Sequence, residues 1–307
     1  MSWVKCTAAA AAVFLPMCAL AHVPPAKPSY GELLAKAGAT DWRAVDIENT
    51  LYLELPAGRV IIELAPAFAP RHVENIKALV REKYFDGLFV IRSHDNYVAQ
   101  WGDPDEKNPR TAKLAKTKLA PEFTVKFKDA KDLPPFTRLP DVDGYAREVG
   151  HSNGFPSARD SKANEAWLTH CYAMVGVGRG NEDDSGSGMS LYAVTGHAPR
   201  HLDRNITLVG RVVQGIALLS ALPRGTASLG FYDKPEQRVP IKSVRIAADV
   251  PAAERTNIEI IRTDTPLFAS LVESLRNRSG PWFKAPAGHV ELCNVNIATR
   301  IAPAVGK

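Results

Sequence analysis

The most informative part of the chain is Tyr84-Phe85-Asp86-Gly87-Leu88-Phe89-Val90-Ile91-Arg92, which is followed by Gln100 and Gly102-Asp103. Apolar and aromatic residues lead up to the arginine, which is typical of a β-strand, and a second strand-like segment carries the glutamine. One cation and one amide therefore lie at a fixed offset on adjoining segments. A lone arginine is usually a surface charge, so the interpretation depends on the residues around it.

Upstream of this stretch, the sequence predicts a hairpin followed by a helix. Residues 51–55 and 60–64 are short apolar runs on either side of Pro56-Ala57-Gly58, a turn signature. Pro70 suits the first turn of a helix, where its missing N–H costs nothing. The apolar positions that follow recur at spacings of three and four, at Val73, Ile76, Leu79 and Val80. We expect this helix to plug an apolar sheet.

Together these stretches resemble the cyclophilins, a family of peptidyl-prolyl cis-trans isomerases. Upstream, the motifs also occur in the order and spacing of the family: Gly58-Arg59-Val60, Glu63-Leu64, Pro70 and Glu74-Asn75-Ile76 with Leu79. The resemblance implies a mainly β fold, an eight-stranded antiparallel barrel capped by two helices. We place this domain at residues 45–249, with an insertion at about 124–164 that begins just after a family-like Glu122-Phe123 element.

The segments outside the barrel read differently. Residues 22–44 look like a leader that runs into a short helix, and residues 250–307 like a C-terminal extension. In the extension, Thr265-Pro266 predicts the start of an amphipathic helix, and the alternation at 290–297 predicts a strand. Few residues remain for a separate core, so we expect this helix-strand tail to pack on the barrel.

The N-terminus has the pattern of a signal peptide at residues 1–21. Lys5 gives a positive start, 8–15 is apolar but too short to span a bilayer, and Ala19-Leu20-Ala21 is a small-residue cleavage site. The mature chain is then expected to begin at His22, in the periplasm. A lipid anchor on Cys18 is disfavoured, since the preceding residue is not small. No later stretch predicts membrane insertion.

Export would leave two cysteines, Cys171 and Cys293. In an oxidising compartment two thiols favour one disulfide over a metal site, which needs three or four ligands; two buried free cysteines are the alternative. No metal or cofactor is predicted. The net charge of +5 includes Lys5, and the lysines are scattered without arginine-aromatic interleaving, which argues against a nucleic-acid surface.

Arg92 is the predicted catalytic residue. Rotation about an X-Pro bond faces a barrier of about 18–20 kcal/mol set by amide resonance. Lowering this barrier needs an apolar pocket for the proline ring and a donor to the imide nitrogen as it becomes pyramidal. A guanidinium stays charged and offers several donors in a rigid fork.

By the resemblance, seven further positions carry over as substrate-binding: Tyr97, Val98, Gln100, Gly176, Tyr192, His201 and Leu202. Some depart from the family pattern. Val98 stands for the usual methionine, Tyr192 for phenylalanine and Gly176 for asparagine, while Ser190 replaces a frequent glutamine. Tyr192 is also read as a core aromatic, His201 as a solvated side chain and Gly176 as a turn residue.

Two functions remain open from the sequence. The first is an exported isomerase that acts on proline-containing polypeptides, supported by Arg92 and Gln100. The second is a binding module of the same shape with little catalysis, suggested by Ser190, His201 and the long insertion. A chymotrypsin-like protease is excluded, since the fifteen residues from His170 to Ser185 are too few for that fold. The sequence does not predict the clients or the oligomeric state.

Overall fold

We describe the protein from a computed structural model, which covers residues 1, 27–105, 107–129 and 135–303. Apart from Met1, the predicted signal peptide lies outside these residues. The helices are α1 Tyr30–Leu34, α2 Pro70–Arg81, α3 Ile216–Ser220 and α4 Pro266–Arg276. The strands are β1 Trp42–Ala44, β2 Thr50–Leu55, β3 Gly58–Leu64, β4 Phe89–Ser93, β5 Val98–Gly102, β6 Val125–Lys126, β7 Phe136–Arg138, β8 Glu148–Ser152, β9 Phe155–Asp160, β10 Glu165–Leu168, β11 Met174–Val177, β12 Leu191–Val194, β13 Leu208–Gln214, β14 Val239–Pro240, β15 Ser243–Ile246, β16 Ile258–Ile261 and β17 Thr299–Ile301.

The main sheet is antiparallel and curls into a barrel. Its strand order is β14-β4-β5-β12-β11-β13-β3-β2-β15. The two edge strands are halves of one segment: β14 pairs with β4, and β15 pairs with β2. Between the halves, Ile241 N donates to Leu88 O at 2.8 Å and Lys242 N donates to Glu54 O at 2.9 Å. Because β14 and β15 together occupy one position, the closed barrel has eight strand positions. The predicted mainly β barrel is therefore confirmed.

Two helices cover the ends of the barrel, as predicted. In α2 the buried face includes Val73, Ile76 and Leu79, which join the barrel core around Leu53 and Trp101. Leu219 of α3 joins the same core. Burial of this apolar surface is the main force that holds the helices on the sheet.

The insertion forms a sheet of its own. Its five strands are ordered β6-β10-β9-β8-β7, within residues 125–168. β10 belongs to the insertion sheet and β11 to the barrel, and residues 169–173 separate them. Both strands are apolar, and apolar character does not say which sheet a strand pairs with.

The leader, insertion and tail share one hydrophobic core. α1 and α4 pack together, and β1 pairs with β16, which pairs with β17. Their apolar side chains meet the outer face of the barrel in a cluster that includes Phe68, Trp167, Met174, Phe268 and Leu292. The prediction of a strand at 290–297 was wrong. Residues 292–294 form a 3-10 turn, and the strand of the tail is β17 further on. The alternation reflects burial of one side of an irregular segment.

A disulfide links the tail to the barrel. It joins Cys171, just before β11, to Cys293 of the tail, across 122 residues of chain. This is the pairing that the sequence predicts.

Candidate active site

An open cavity of about 890 Å³ lies on the barrel where β4, β5 and β12 run side by side. We call it the groove. Its floor is formed by Val98, Tyr192 and Ile206, which pack with the buried Val194 in a small apolar cluster. Leu202 lines one side. The volume lies in the range of sites for drug-sized ligands, and the apolar floor suits an apolar group such as a proline ring.

Arg92 stands at the edge of this floor. It pairs with Gln100 in the β4–β5 ladder, and the register shifts between Val90 and Arg92, as in a β-bulge. A bulge re-aims the side chains beside it, which is a common device next to functional sites. The register therefore brings together the cation and the amide that the sequence placed eight residues apart.

Three described partners hold the guanidinium of Arg92. Nε donates to Leu229 O at 2.6 Å, Nη1 donates to Gln100 Oε1 at 3.1 Å, and Nη2 lies 2.9 Å from His94 Nδ1. A guanidinium carries five N–H groups, so one on Nη1 and one on Nη2 remain beyond these contacts. Burial lowers the pKa of Arg92 from 12.5, but an arginine remains charged in proteins.

His94 must act as an acceptor toward Arg92. Arginine offers only donors, so Nδ1 of His94 carries no proton and the ring is neutral. Burial and the charge of Arg92 lower the pKa of His94 from 6.5, against the opposite effect of Asp95. The His94 ring also meets Tyr97 edge-on, with ring centroids 5.2 Å apart. A neutral His94 thus orients the arginine fork.

Gln100 is oriented by Ser190. Its Nε2 donates to Ser190 Oγ at 2.9 Å, which turns the amide oxygen toward Arg92. Ser190 in turn donates to Trp101 O at 3.4 Å. The serine that departs from the family's glutamine therefore still has a polar role at the groove.

Residues 225–231 form a strap beside Arg92. Leu229 (φ 57°) and Gly230 (φ 77°) both lie in the left-handed region. A Cβ on Gly230 would meet the backbone of His94, so glycine allows the strap to approach. The ring of Phe231 lies 5.3 Å from the Arg92 guanidinium, and that of Tyr97 lies 5.7 Å from it. The cation is thereby flanked by two aromatic faces.

Six of the predicted residues line the groove: Arg92, Tyr97, Val98, Gln100, Tyr192 and Leu202. Gly176 does not. It pairs with Tyr192 across the ladder, and a Cβ there would collide with the Tyr192 hydroxyl. The groove is lined instead by residues further along the chain, Gly178, Arg179 and Gly180.

His201 does not line the groove either. It is exposed in the 3-10 turn Arg200–Leu202, while its neighbour Leu202 faces inward. The roles of all these residues in binding and catalysis stay predictions.

Sequence reasoning missed His94, Leu229 and Phe231. His94 had a usable signal, since it lies one residue beyond β4 and two residues from Arg92, a spacing that keeps side chains on one face of an extended chain. The strap gave no such signal, because Leu229 follows Arg92 by 137 residues in the sequence.

Comparison with known proteins agrees with this geometry. The family model described as cyclophilin type peptidyl-prolyl cis-trans isomerase/CLD matches residues 50–246. A Brucella suis biovar 1 protein named "Probable peptidyl-prolyl cis-trans isomerase" is 47% identical over 60 residues, which make up 20% of this chain and 31% of that protein. This match thus spans about a third of the relative's length. "Peptidyl-prolyl cis-trans isomerase-like 1" of Gibberella zeae is 22% identical over 201 residues, 66% of this chain and 96% of that protein.

The fold has a close counterpart among solved structures. Cyclophilin AquaCyp293 from Hirschia baltica matches with a TM-score of 0.68 and 23% identity, over 90% of this chain and 99% of that one. At this identity the match concerns the fold, and the family model carries the assignment. Since that model covers more than half of the sequence, the chain belongs to the family of cyclophilin-type peptidyl-prolyl cis-trans isomerases.

Proposed function

We propose that this chain accelerates cis-trans isomerisation of X-Pro bonds in polypeptides. The observation that carries the proposal is the fork of Arg92, held by three partners beside an apolar groove. The groove grips the proline ring. The N–H groups left on Nη1 and Nη2 stabilise the twisted amide as its nitrogen loses conjugation. No nucleophile is required, because no covalent bond breaks.

The fixed orientation of the fork is central to this mechanism. A donor that is already in place pays no reorganisation as charge develops in the transition state, which is where such donors contribute most. The guanidinium is planar by itself, and Gln100, His94 and the Leu229 carbonyl fix its orientation through Nη1, Nη2 and Nε. The apolar floor also keeps water from competing for the amide.

The test is an NMR exchange measurement on a short Ala-Pro peptide, with and without the protein. Interconversion without catalyst takes tens to hundreds of seconds, so acceleration at micromolar protein is easily resolved. Exchange at the uncatalysed rate would contradict the proposal. A peptide-binding module would then be favoured, in line with one observation: the Leu229 carbonyl already occupies Nε of Arg92.

We further propose that the protein is exported to the periplasm and acts there on proline-containing clients. The pattern of residues 1–21 supports this, and so does the Cys171–Cys293 disulfide, since such bonds persist in oxidising compartments. Among the described residues, no helix is both long and apolar enough to cross a membrane. Cell fractionation with N-terminal sequencing tests the proposal: a periplasmic chain that begins at His22 is expected, and an uncleaved cytoplasmic chain would refute it.

A further inference from the structure

The insertion reaches the groove wall through an ion pair. Asp143, in the loop between β7 and β8, accepts from Nη2 and Nη1 of Arg200, each at 3.0 Å. Both side chains are buried, with 6% of Arg200 and 9% of Asp143 exposed. The Tyr145 ring lies 5.0 Å from the same guanidinium. Arg200 begins the turn that carries Leu202 into the groove.

Hydrogen bonds continue from Arg200 to the groove floor. Arg200 Nε donates to Asp203 Oδ2 at 2.6 Å. The other oxygen of Asp203 accepts from the backbone N–H of His170 and from its Nδ1, both at 2.9 Å. His170 Nε2 lies 2.9 Å from the Tyr192 hydroxyl. We call Asp143, Arg200, Asp203, His170 and Tyr192 the relay.

The direction of each hydrogen bond in the relay follows from its chemistry. Arg200 holds Asp203 as a carboxylate, so Asp203 accepts and Nδ1 of His170 carries the proton. Burial lowers the pKa of His170, which keeps the ring neutral. Its Nε2 is then an acceptor, and the Tyr192 hydroxyl donates to it. The hydroxyl therefore points away from the groove and fixes the ring.

Gly176 leaves room for the Tyr192 ring because it has no side chain. A Cβ at this position would collide with the hydroxyl and the ring. The ring is therefore held between His170 on one side and the bare backbone of β11 on the other. A phenylalanine in this place would lack the hydrogen bond that anchors the ring to Asp203 through His170.

We infer that Asp143 and Arg200 are positioning residues, through which the insertion sets the places of Tyr192 and Leu202 in the groove. The inference rests on the proposed isomerase function for its activity readout. Neither residue lines the groove, and both act through the relay. Misplacing a group by about 1 Å can lower a rate about a hundredfold, so a partial loss of order in the floor is expected to lower activity about tenfold.

Asp141 offers a matched control two residues away. Its carboxylate accepts from Nε and Nη2 of Arg276 at 2.7 and 2.8 Å, and its side chain is also 9% exposed. This pair ties the insertion to α4 and not to the groove. Asp143→Asn and Asp141→Asn therefore each remove a buried carboxylate that pairs with an arginine from the same loop, and only Asp143→Asn breaks the relay.

The experiment compares kcat/KM and the Kd for an Ala-Pro peptide in both folded variants. Asp143→Asn is expected to lower kcat/KM about tenfold and to weaken binding, whereas Asp141→Asn stays within twofold of wild type. Equal effects of the two substitutions, whether large or absent, would overturn the inference.

Two further measurements keep the inference testable on its own. In a Tyr192→Phe background, which removes the last hydrogen bond of the relay, Asp143→Asn should have less than half of its effect on log Kd; an undiminished effect would refute the relay. NMR of the Leu202 methyl groups and the Tyr192 ring needs no catalysis. Asp143→Asn should shift these signals and Asp141→Asn should not. If wild type is inactive, the proposed function fails, while these shifts still decide the inference.

Discussion

Replacing Arg92 tests the mechanism most directly. Arg92→Ala removes the N–H groups on Nη1 and Nη2 that act on the twisted amide, while the groove floor of Val98 and Tyr192 stays in place. Loss of one positioned donor typically costs about a hundredfold to a thousandfold in rate. A hundredfold loss corresponds to about 2.7 kcal/mol of transition-state stabilisation. We therefore expect kcat/KM to fall at least about a hundredfold.

Arg92→Lys separates charge from geometry. The three contacts of Arg92 diverge from a planar fork toward Leu229, Gln100 and His94. A lysine ammonium is a point charge on a flexible stem, so it cannot meet these partners and also present two parallel donors. We expect Arg92→Lys to recover less than a tenth of the lost activity. The fold should persist in both variants, because the partners lie at the edge of an open groove where water replaces the lost contacts.

NMR exchange on an Ala-Pro peptide gives the rates without a coupling protease, and near-UV circular dichroism shows whether each variant is folded. Arg245→Ala is the matched control. Arg245 is a half-buried barrel arginine that pairs with Asp86 and does not line the groove. Its loss should leave kcat/KM within twofold. A folded Arg92→Ala variant with activity within severalfold of wild type would refute the assigned role of the fork.

Three further predictions concern acid and the disulfide. Protonation of His94 would remove its acceptor toward Arg92, so wild-type activity should fall as the pH drops through the lowered pKa of His94; His94→Asn keeps an acceptor at every pH, and superimposable pH profiles of the two proteins would contradict the role. Burial would raise the pKa of Glu122, but hydrogen bonds from His72 and Arg71 lower this pKa from 4.5 to about 2. The ionised carboxylate therefore stabilises the fold fully above pH 4.5, and this stabilisation is lost as the pH falls through 2. Urea unfolding should show Glu122→Gln less stable by about 3 kcal/mol at pH 7 and nearly equal to wild type at pH 2; a gap that does not shrink would contradict this. The double variant Cys171→Ala, Cys293→Ala should lose up to about 4–5 kcal/mol, and an unchanged urea midpoint would refute a stabilising bond.

The barrel could be predicted because its signals are local. Alternation and turn residues define β2 and β3, and the helical spacing of α2 follows at once. The Arg92–Gln100 pair was also readable, because a short connection between antiparallel strands fixes which residues face each other.

The insertion sheet and the edges of the site were not readable from the sequence. β6 and β7 have two and three residues, and such strands are held by their partners rather than by their own composition. The place of Gly176 beside the groove lining, a position that came from the resemblance, was not readable from the local pattern either. The β11–β13 register shifts between Val175 and Gly176, and a period of two does not show such a shift.

The added segments act on the same side of the barrel as the relay. Cys171 follows His170 directly, so the disulfide to Cys293 anchors the tail one residue from the ring that fixes Tyr192. Asp143 anchors the insertion at the other end of the relay through Arg200. Side chains of a barrel wall that is anchored at both ends of the relay have less rotamer freedom in the free protein. Less entropy is then lost when substrate binds. On the proposed relay, the added segments therefore stiffen one wall of the groove.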